Sequence, residues 1–310
     1  MNKKILVTGG SGMLGKAVQN ILPNAVYLSS KDADLTNAAA TDAIFDRYKP
    51  EFVLHLAGRV GGIKANMNNL GKFYHDNIQI NTNVLESSRK HNVEKVLSML
   101  STCVYPDKTS YPLREATIHD GPPHHSNYAY AYAKRMVDVQ SKAYRQQYGC
   151  NFVTAIPNNM FGPNDNFDLQ DSHVIPALIR KIYEAKKFGK EVVLWGDGTP
   201  LREFTYSYDM AKIILFVLEN YNGSEPINIG NTNEFSIKQI ADMVCSIYNY
   251  GGKIIWDTAG PPGQFRKPSS NEKLLQLGWE ENDFTDMQHS LEQVCHWFDK
   301  NYSIARGVML

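Results

Sequence analysis

The sequence predicts an α/β fold: a doubly wound parallel sheet covered by helices, followed by a smaller C-terminal α/β substrate domain. Three observations carry this. Short apolar segments alternate with helical ones through the first half of the chain. A glycine-rich turn follows the first apolar segment directly. Near residue 160 the alternation gives way to a polar loop and a less regular mixture.

Taken in order, KKILVTG, AVYLSS, EFVLHLAG, KVLSMLS and FVTAIPN are short, apolar and bounded by turn residues, as strands are. MLGKAVQNIL separates the first two, and further helical stretches cover about 70–91 and 128–148. Helices between successive strands imply parallel pairing, which needs a long crossover where a hairpin would not. After the loop GPNDNFDLQDS come the helix HVIPALIRKIYEAKK and then VVLWGDG, TYSYDMAKIILFVLEN, SIKQIADMVCSIYNY and KIIWD. The expected division is a nucleotide-binding domain over 1–164, completed by about 205–231, and a second domain from about 165–204 and 232–310. No internal repeat is visible.

A chain of 310 residues that is 43% hydrophobic can bury a large core. Its formal charge is zero, so nothing favours a nucleic-acid partner. The longest apolar run, IILFVL at 213–218, is too short to span a bilayer, so no membrane partner is expected. The first strand starts close to Met1 and leaves no room for a signal peptide, which points to the cytoplasm. Cys103, Cys150, Cys245 and Cys295 show no metal-ligand spacing, so neither zinc nor disulfides are expected. The last three sit in apolar or strand-edge contexts and read as core residues.

TGGSGMLG places Gly9, Gly12 and Gly15 between a strand and a helix, with Gly10, Ser11, Met13 and Leu14 completing the turn. In that context glycines let the backbone turn tightly and bring helix amides against a pyrophosphate, as in Rossmann-type folds. A carboxylate near the end of the second strand would select NAD through the ribose 2′-hydroxyl. Ser29, Ser30 and Lys31 stand there, and hydroxyls with an ammonium suit a 2′-phosphate, so the expected coenzyme is NADP. Asp32 and Asp34 lie close by and leave the opposite preference open.

Hydride transfer to a ketone needs a proton donor, and a tyrosine with a lysine four residues later on one helical face supplies one. Four such pairs exist: Tyr27/Lys31, Tyr130/Lys134, Tyr183/Lys187 and Tyr208/Lys212. Only Tyr130/Lys134 opens a helix after the strand that ends at Ser101, and it is the pair chosen. The nearby ammonium is expected to stabilise the phenolate and lower the tyrosine pKa.

TGGSGMLG, HLAG, Ser101 and YAYAK, in that order, resemble the extended short-chain dehydrogenase/reductase family. The resemblance implies that Ser101 hydrogen-bonds the substrate carbonyl, Tyr130 donates the proton, and Lys134 also holds the nicotinamide ribose. STCVYP, RVGGIKAN, GPNDNF, SHVIPALIRK and WGDGTPLREF are similar to one branch of that family, the epimerase-reductases of GDP-sugars. That branch takes GDP-4-keto-6-deoxy-D-mannose, inverts C3 and C5, and reduces the C4 ketone with NADPH. By the same resemblance the coenzyme also touches Ser30, Lys31, Asp34, Leu35, Leu56, Ala57, Gly58, Pro157, Asn158, Asn159, Met160 and His173. Substrate contacts fall to Ser101, Thr102, Cys103, Asn159, Lys181, Trp195, Arg202 and Lys267, and relatives imply a homodimer packed through the helices at about 70–91 and 128–148. Three positions depart from the pattern: Lys181 and Ser11 stand where arginine is usual, and Asn158 where threonine is.

The chemistry accounts for Cys103. C3 and C5 are both α to the ketone, so either can lose a proton if the enolate oxygen is held. Inversion then needs a second group to return a proton to the opposite face. Cys103 and His173 match the branch's acid/base pair; a free thiol ionises near about 8.5 and an imidazole near about 6.5, both usable near neutrality. The family suggests Cys103 as base and His173 as acid. Sequence leaves two rivals open: another sugar-nucleotide epimerase or dehydratase, and a non-catalytic NADP-sensing protein. Thr102 and Cys103 stand where a dehydratase would carry Asp-Glu, and an intact Ser101, Tyr130 and Lys134 set speaks against a sensor.

Overall fold

The structure, a computed structural model, describes residues 3–259 and 265–308. β1 (Ile5–Thr8) runs through the glycine turn into α1 (Met13–Ile21). There follow β2 (Val26–Leu28), α2 (Ala38–Tyr48), β3 (Phe52–His55), α3 (Ile63–Asn68), α4 (Leu70–Lys90), β4 (Lys95–Met99), α5 (Tyr128–Tyr148) and β5 (Phe152–Pro157). The remainder comprises β6 (Asn159–Phe161), α6 (Val174–Phe188), β7 (Val192–Trp195), β8 (Leu201–Tyr206), α7 (Ser207–Asn220) and β9 (Ile227–Ile229). It closes with β10 (Glu234–Ser236), α8 (Ile237–Tyr248), β11 (Ile254–Asp257), α9 (Glu272–Gln276) and α10 (Met287–Asn301).

The main sheet has the order β2-β1-β3-β4-β5-β9, every pair parallel. β1, β4 and β5 are buried along their whole length, which is why they read as unbroken apolar runs and not as alternating ones. On one face α1 and α7 pack Leu14, Val18, Met210, Ile214 and Val217 against the sheet. On the other, α2, α4 and α5 contribute Phe45, Val84, Leu85 and Val137. Chain order reverses between β1 and β3, so a crevice opens beyond their carboxyl ends, where ligands bind in sheets of this kind.

The segment around 205–231 returns to this sheet: α7 covers it and β9 pairs with β5 at its edge. A second cluster gathers Phe161, Ile175, Ile179, Val192, Val244, Leu291 and Phe298. Two smaller sheets accompany it, β10-β8-β6 and β11-β7. Packing also crosses between the clusters at particular residues. Phe161 packs in the second cluster because β6 pairs with β8. Leu274 and Trp279 pack in the first, because α9 tucks back against the β9 end through Lys273 Nζ to the Pro226 carbonyl at 3.1 Å. Among the described residues no helix is long and apolar enough to cross a membrane.

One buried polar chain ties β1, β3 and α4 together. His55 Nε2 lies 3.0 Å from Asn81 Oδ1, an oxygen that can only accept, so the ring carries its proton on Nε2. Its Nδ1 therefore accepts from the Thr8 hydroxyl at 2.7 Å, and Thr8 Oγ1 in turn accepts the Ala57 amide at 3.2 Å. Complete burial, with the Lys134 ammonium nearby, pushes the imidazole down to about 3. An unfolded histidine binds a proton below about pH 6.5 that this folded one refuses until about 3. Stability therefore rises with pH across that window and is lost as the solution is acidified, by about 1.4 kcal/mol per pH unit. In His55→Gln the plot of unfolding free energy against pH should be shallower by that slope between about pH 6 and 4. An unchanged slope in urea titrations would count against the buried neutral ring.

Candidate active site

The crevice begins at the glycine turn. Gly9 has φ +72°, and a Cβ there would sit 2.8 Å from the Ala57 amide nitrogen. A Cβ on Gly15 would lie 2.5 Å from the Gly9 carbonyl oxygen. Only glycine lets α1 start this close to the end of β3. The N-cap, Gly12, has no side chain to occupy the first amides of α1, and its first turn holds no acidic residue. Those amides and the positive helix end fit a pyrophosphate. Ser11 is exposed and Met13 partly so at the turn, whereas Leu14 is buried in the core beneath it.

At the end of β2 both nearby carboxylates are already engaged. Asp32 Oδ2 accepts the Ser29 amide and hydroxyl, each at 2.7 Å. Asp34 Oδ1 accepts the Thr36 amide at 3.0 Å and its hydroxyl at 2.7 Å. These bonds hold both carboxyls below the usual carboxylate range. Ser30 and Lys31 are exposed beside them, and Leu35 gives its carbonyl to Asn83 Nδ2 at 2.9 Å. A lysine and a free serine beside two committed carboxylates fit a 2′-phosphate.

Beyond β4 the chain makes a short 3-10 turn over Thr102–Val104, and Ser101 Oγ accepts the Cys103 amide at 3.3 Å. Thr102 is buried under this turn. α5 lies across it. Lys134 Nζ donates to the Met99 carbonyl at 2.9 Å and Arg135 Nε to the Val104 carbonyl at 2.7 Å. Tyr130 is buried and hydrogen-bonded with Ser101. The expectation that Lys134 lowers the phenol pKa is not met: burial, then the nearby Cys103 sulfur, raise it, against the Ser101 hydrogen bond. The phenol is thus held protonated, as a proton donor requires. Burial brings Lys134 down to about 8. A Cβ on Gly58 would sit 3.4 Å from Lys134 Nζ, which brings Leu56, Ala57 and Gly58 to the same floor.

Cys103 is half-buried against Ala65, Phe73 and Tyr130. Its sulfur accepts a hydrogen bond from Asn127 Nδ2 at 2.9 Å, a contact that sequence reasoning missed. The available signal was an asparagine directly before the helix that carries Tyr130, where N-caps sit. The other cysteines are as expected only in part: Cys295 is buried, while Cys150 and Cys245 pack against the clusters from outside.

The wall continues from Phe73 and Ala65 to the Gly61–Gly62 turn, and the Gly62 amide donates to the Asp171 carbonyl at 2.9 Å. This places the loop that ends at His173, the N-cap of α6, on the same side as the thiol. Water reaches the His173 ring through the open cleft, yet the protein around it is close enough that desolvation pushes the imidazole below its usual value. Across the cleft, Lys267 feels both the Cys103 sulfur and the Arg202 guanidinium, and burial lowers its ammonium. Arg202 rests on the Leu201 and Phe265 carbonyls at 2.7 and 3.3 Å.

Lys181 and Trp195 form a separate patch at β7. Lys181 Nζ donates to the Val193 carbonyl at 2.8 Å, and Trp195 is 70% exposed, so it plugs no interface. Pro157, the last residue of β5, is buried; in β6 Met160 packs on the first cluster, and exposed Asn159 donates to the Glu203 carbonyl at 2.9 Å. The Asn158 carboxamide is committed to the junction: it donates to Asn231 O at 2.7 Å and accepts from Thr205 Oγ1 at 2.6 Å.

Residues 5–230 match the NAD dependent epimerase/dehydratase family. The GDP-L-fucose synthase of Dictyostelium discoideum is 44% identical over 98% of this chain and 98% of its own. A probable GDP-L-fucose synthase of Drosophila melanogaster is 42% identical, over 98% of this chain and 99% of the relative. The crystal structure of a GDP-L-fucose synthetase from Naegleria fowleri bound to NADP has a TM-score of 0.92 and 41% identity, covering 98% of this chain and 95% of that one. A glycine turn fitted to a dinucleotide, a serine–tyrosine–lysine set and end-to-end likeness agree: the chain belongs to the NAD dependent epimerase/dehydratase family, in the branch that holds these GDP-L-fucose synthases.

Proposed function

We propose that this protein converts GDP-4-keto-6-deoxy-D-mannose to GDP-L-fucose, inverting C3 and C5 and then reducing the C4 ketone with NADPH. The observation that carries the reading is the thiol of Cys103 packed against Tyr130, at the place where Ser101 and Tyr130 meet. A reductase alone has no use for that thiol; an epimerase acting through the same ketone has.

The residues divide the work. The amides at the start of α1 and residues Gly9 to Gly15 hold the coenzyme pyrophosphate, with Ser30 and Lys31 on the 2′-phosphate. Ser101 and Tyr130 hydrogen-bond the ketone oxygen and stabilise the enolate formed when C3 or C5 is deprotonated. Cys103, as thiolate, takes the proton and becomes the thiol. His173, as imidazolium, returns one to the opposite face and becomes neutral; its lowered pKa makes it the stronger acid. When bound, NADPH supplies the hydride for C4. Tyr130 then gives its proton to the C4 oxygen, and Lys134 offsets the phenolate charge that is left. Arg202 and Lys267 supply cations suited to the diphosphate, and the patch of Lys181 and Trp195 at β7 is available to the nucleoside end, Trp195 by stacking.

The assembly we propose is a homodimer. α4 and α5 expose Tyr74, Tyr128, Tyr132, Met136 and Val139, an apolar face of the kind that a second copy covers. We place the enzyme in the cytoplasm.

Incubation with GDP-4-keto-6-deoxy-D-mannose and NADPH in deuterated water should give GDP-L-fucose labelled at C3 and C5, read by NMR, with one NADP formed per product. Product without deuterium, or turnover without net NADPH oxidation, would sink the reading. Cys103→Ser should keep its NADPH affinity and lose exchange by roughly 100-fold or more. Lys31→Ala should weaken NADPH binding roughly tenfold and leave NADH binding unchanged, by fluorescence titration. Equal losses for both coenzymes would remove Lys31 from the phosphate. The kcat/KM for NADPH oxidation should fall as pH rises through about 8, where Lys134 loses its charge, and a profile flat to about pH 10 would contradict this.

A further inference from the structure

We infer that Asn127 is a positioning residue for the inversion step, holding the Cys103 sulfur in its proton-accepting form through a carboxamide N–H. The inference rests on the reading of Cys103 as the base.

Asn127 is the N-cap of α5, yet its side chain makes no capping bond. An asparagine at that position ordinarily turns its oxygen onto the first free amides of the helix. Here Nδ2 points to Cys103 Sγ at 2.9 Å, and Oδ1 is buried with no partner among the described residues. Both features cost stability, one through a cap left unmade and the other through a buried acceptor left unpaired. A residue placed against its local preference in this way marks a functional demand. The residue is also held firmly: its amide donates to the His124 carbonyl at 3.2 Å, and its own carbonyl accepts the Ala131 amide at 3.0 Å.

The bond has a chemical use that other neighbours do not duplicate. A neutral carboxamide donates to a thiolate at any pH, and hydrogen bonds to the charged form favour it. Lys267 also interacts with the sulfur, but its ammonium is shared with the diphosphate once substrate binds. Tyr130 and Ser101 are occupied by the ketone. Asn127 is left to steady the sulfur before it takes the proton from carbon.

The test uses full-length Asn127→Asp and Asn127→Ala. Aspartate keeps the size and suits a helix N-cap, so a merely structural role would leave it near the parent in every assay. The inference instead expects aspartate, which puts negative charge against the sulfur, to be the worse variant. Alkylation of Cys103 by iodoacetamide at pH 7.5, read by peptide mass spectrometry, should slow roughly tenfold in the alanine variant and further in the aspartate variant. Exchange at C3 and C5 in deuterated water with oxidised coenzyme should slow in parallel, while NADPH affinity and Tm hold. If either variant loses its thermal transition, Asn127→Ser keeps a short capping side chain and is expected to slow both rates too. Parental alkylation and exchange rates in the aspartate variant overturn the inference. A parent protein that does not exchange at all would defeat the proposed function instead, and the alkylation arm would still decide whether Asn127 governs the sulfur.

Discussion

Two buried cations of α5 grip the backbone at the end of β4 and just beyond it, and the arrangement of the candidate site depends on that grip. Lys134 reaches the Met99 carbonyl and Arg135 the Val104 carbonyl, at 2.9 and 2.7 Å. Those carbonyls bracket the stretch from Ser101 to Cys103. Holding both fixes the serine and the thiol against Tyr130, one helical turn earlier on α5, to within the tolerance of a hydrogen bond. A buried charge is tolerated where acceptors meet it, and these two carbonyls supply one acceptor to each cation. The neighbouring His55 is kept neutral first by its own burial and then by the Lys134 ammonium beside it.

The two groups proposed for the proton transfers come from different parts of the chain. Cys103 projects from the end of the main sheet, and His173 arrives from the loop that opens α6. The proposed inversion takes one proton from one face and delivers one to the other, and groups carried on different elements can be positioned independently for it. The third participant is the segment around Lys267. Leu113 N donates to the Pro268 carbonyl at 2.8 Å, while Ser269 donates its amide and hydroxyl to Glu203 at 2.7 and 2.6 Å. The backbone just after Lys267 is therefore strapped between the main sheet's loops and β8.

The parallel sheet was readable because its strands are buried on both faces and its helices are long. α4 over Leu70–Lys90 and α5 over Tyr128–Tyr148 match the stretches read from sequence to within a residue. Three-residue strands such as Asn159–Phe161 and Glu234–Ser236 carry too little pattern to be seen, since their pairing with β8 is settled by distant residues. α10 was legible and went unread: Met287, Leu291, Val294, Cys295 and Phe298 follow a helical stripe. At the site, the glycines are legible from their place between a strand and a helix, and Tyr130/Lys134 from its place after the strand ending at Ser101, since three other pairs share its spacing. The sign of the Tyr130 shift does not, because burial outweighs a neighbouring ammonium only once the packing around the ring is known. Nor does spacing reveal that Asn127 forgoes its cap for a sulfur 24 residues away.

The chain passes repeatedly between its two clusters. It leaves the main sheet at Phe161, returns with Ser207, departs again beyond Gly230, comes back at Leu274 and Trp279, and finishes in α10. Such interleaving means that no contiguous stretch of gene encodes either half. A swap of any one continuous segment would therefore cut through the packing of both halves at once.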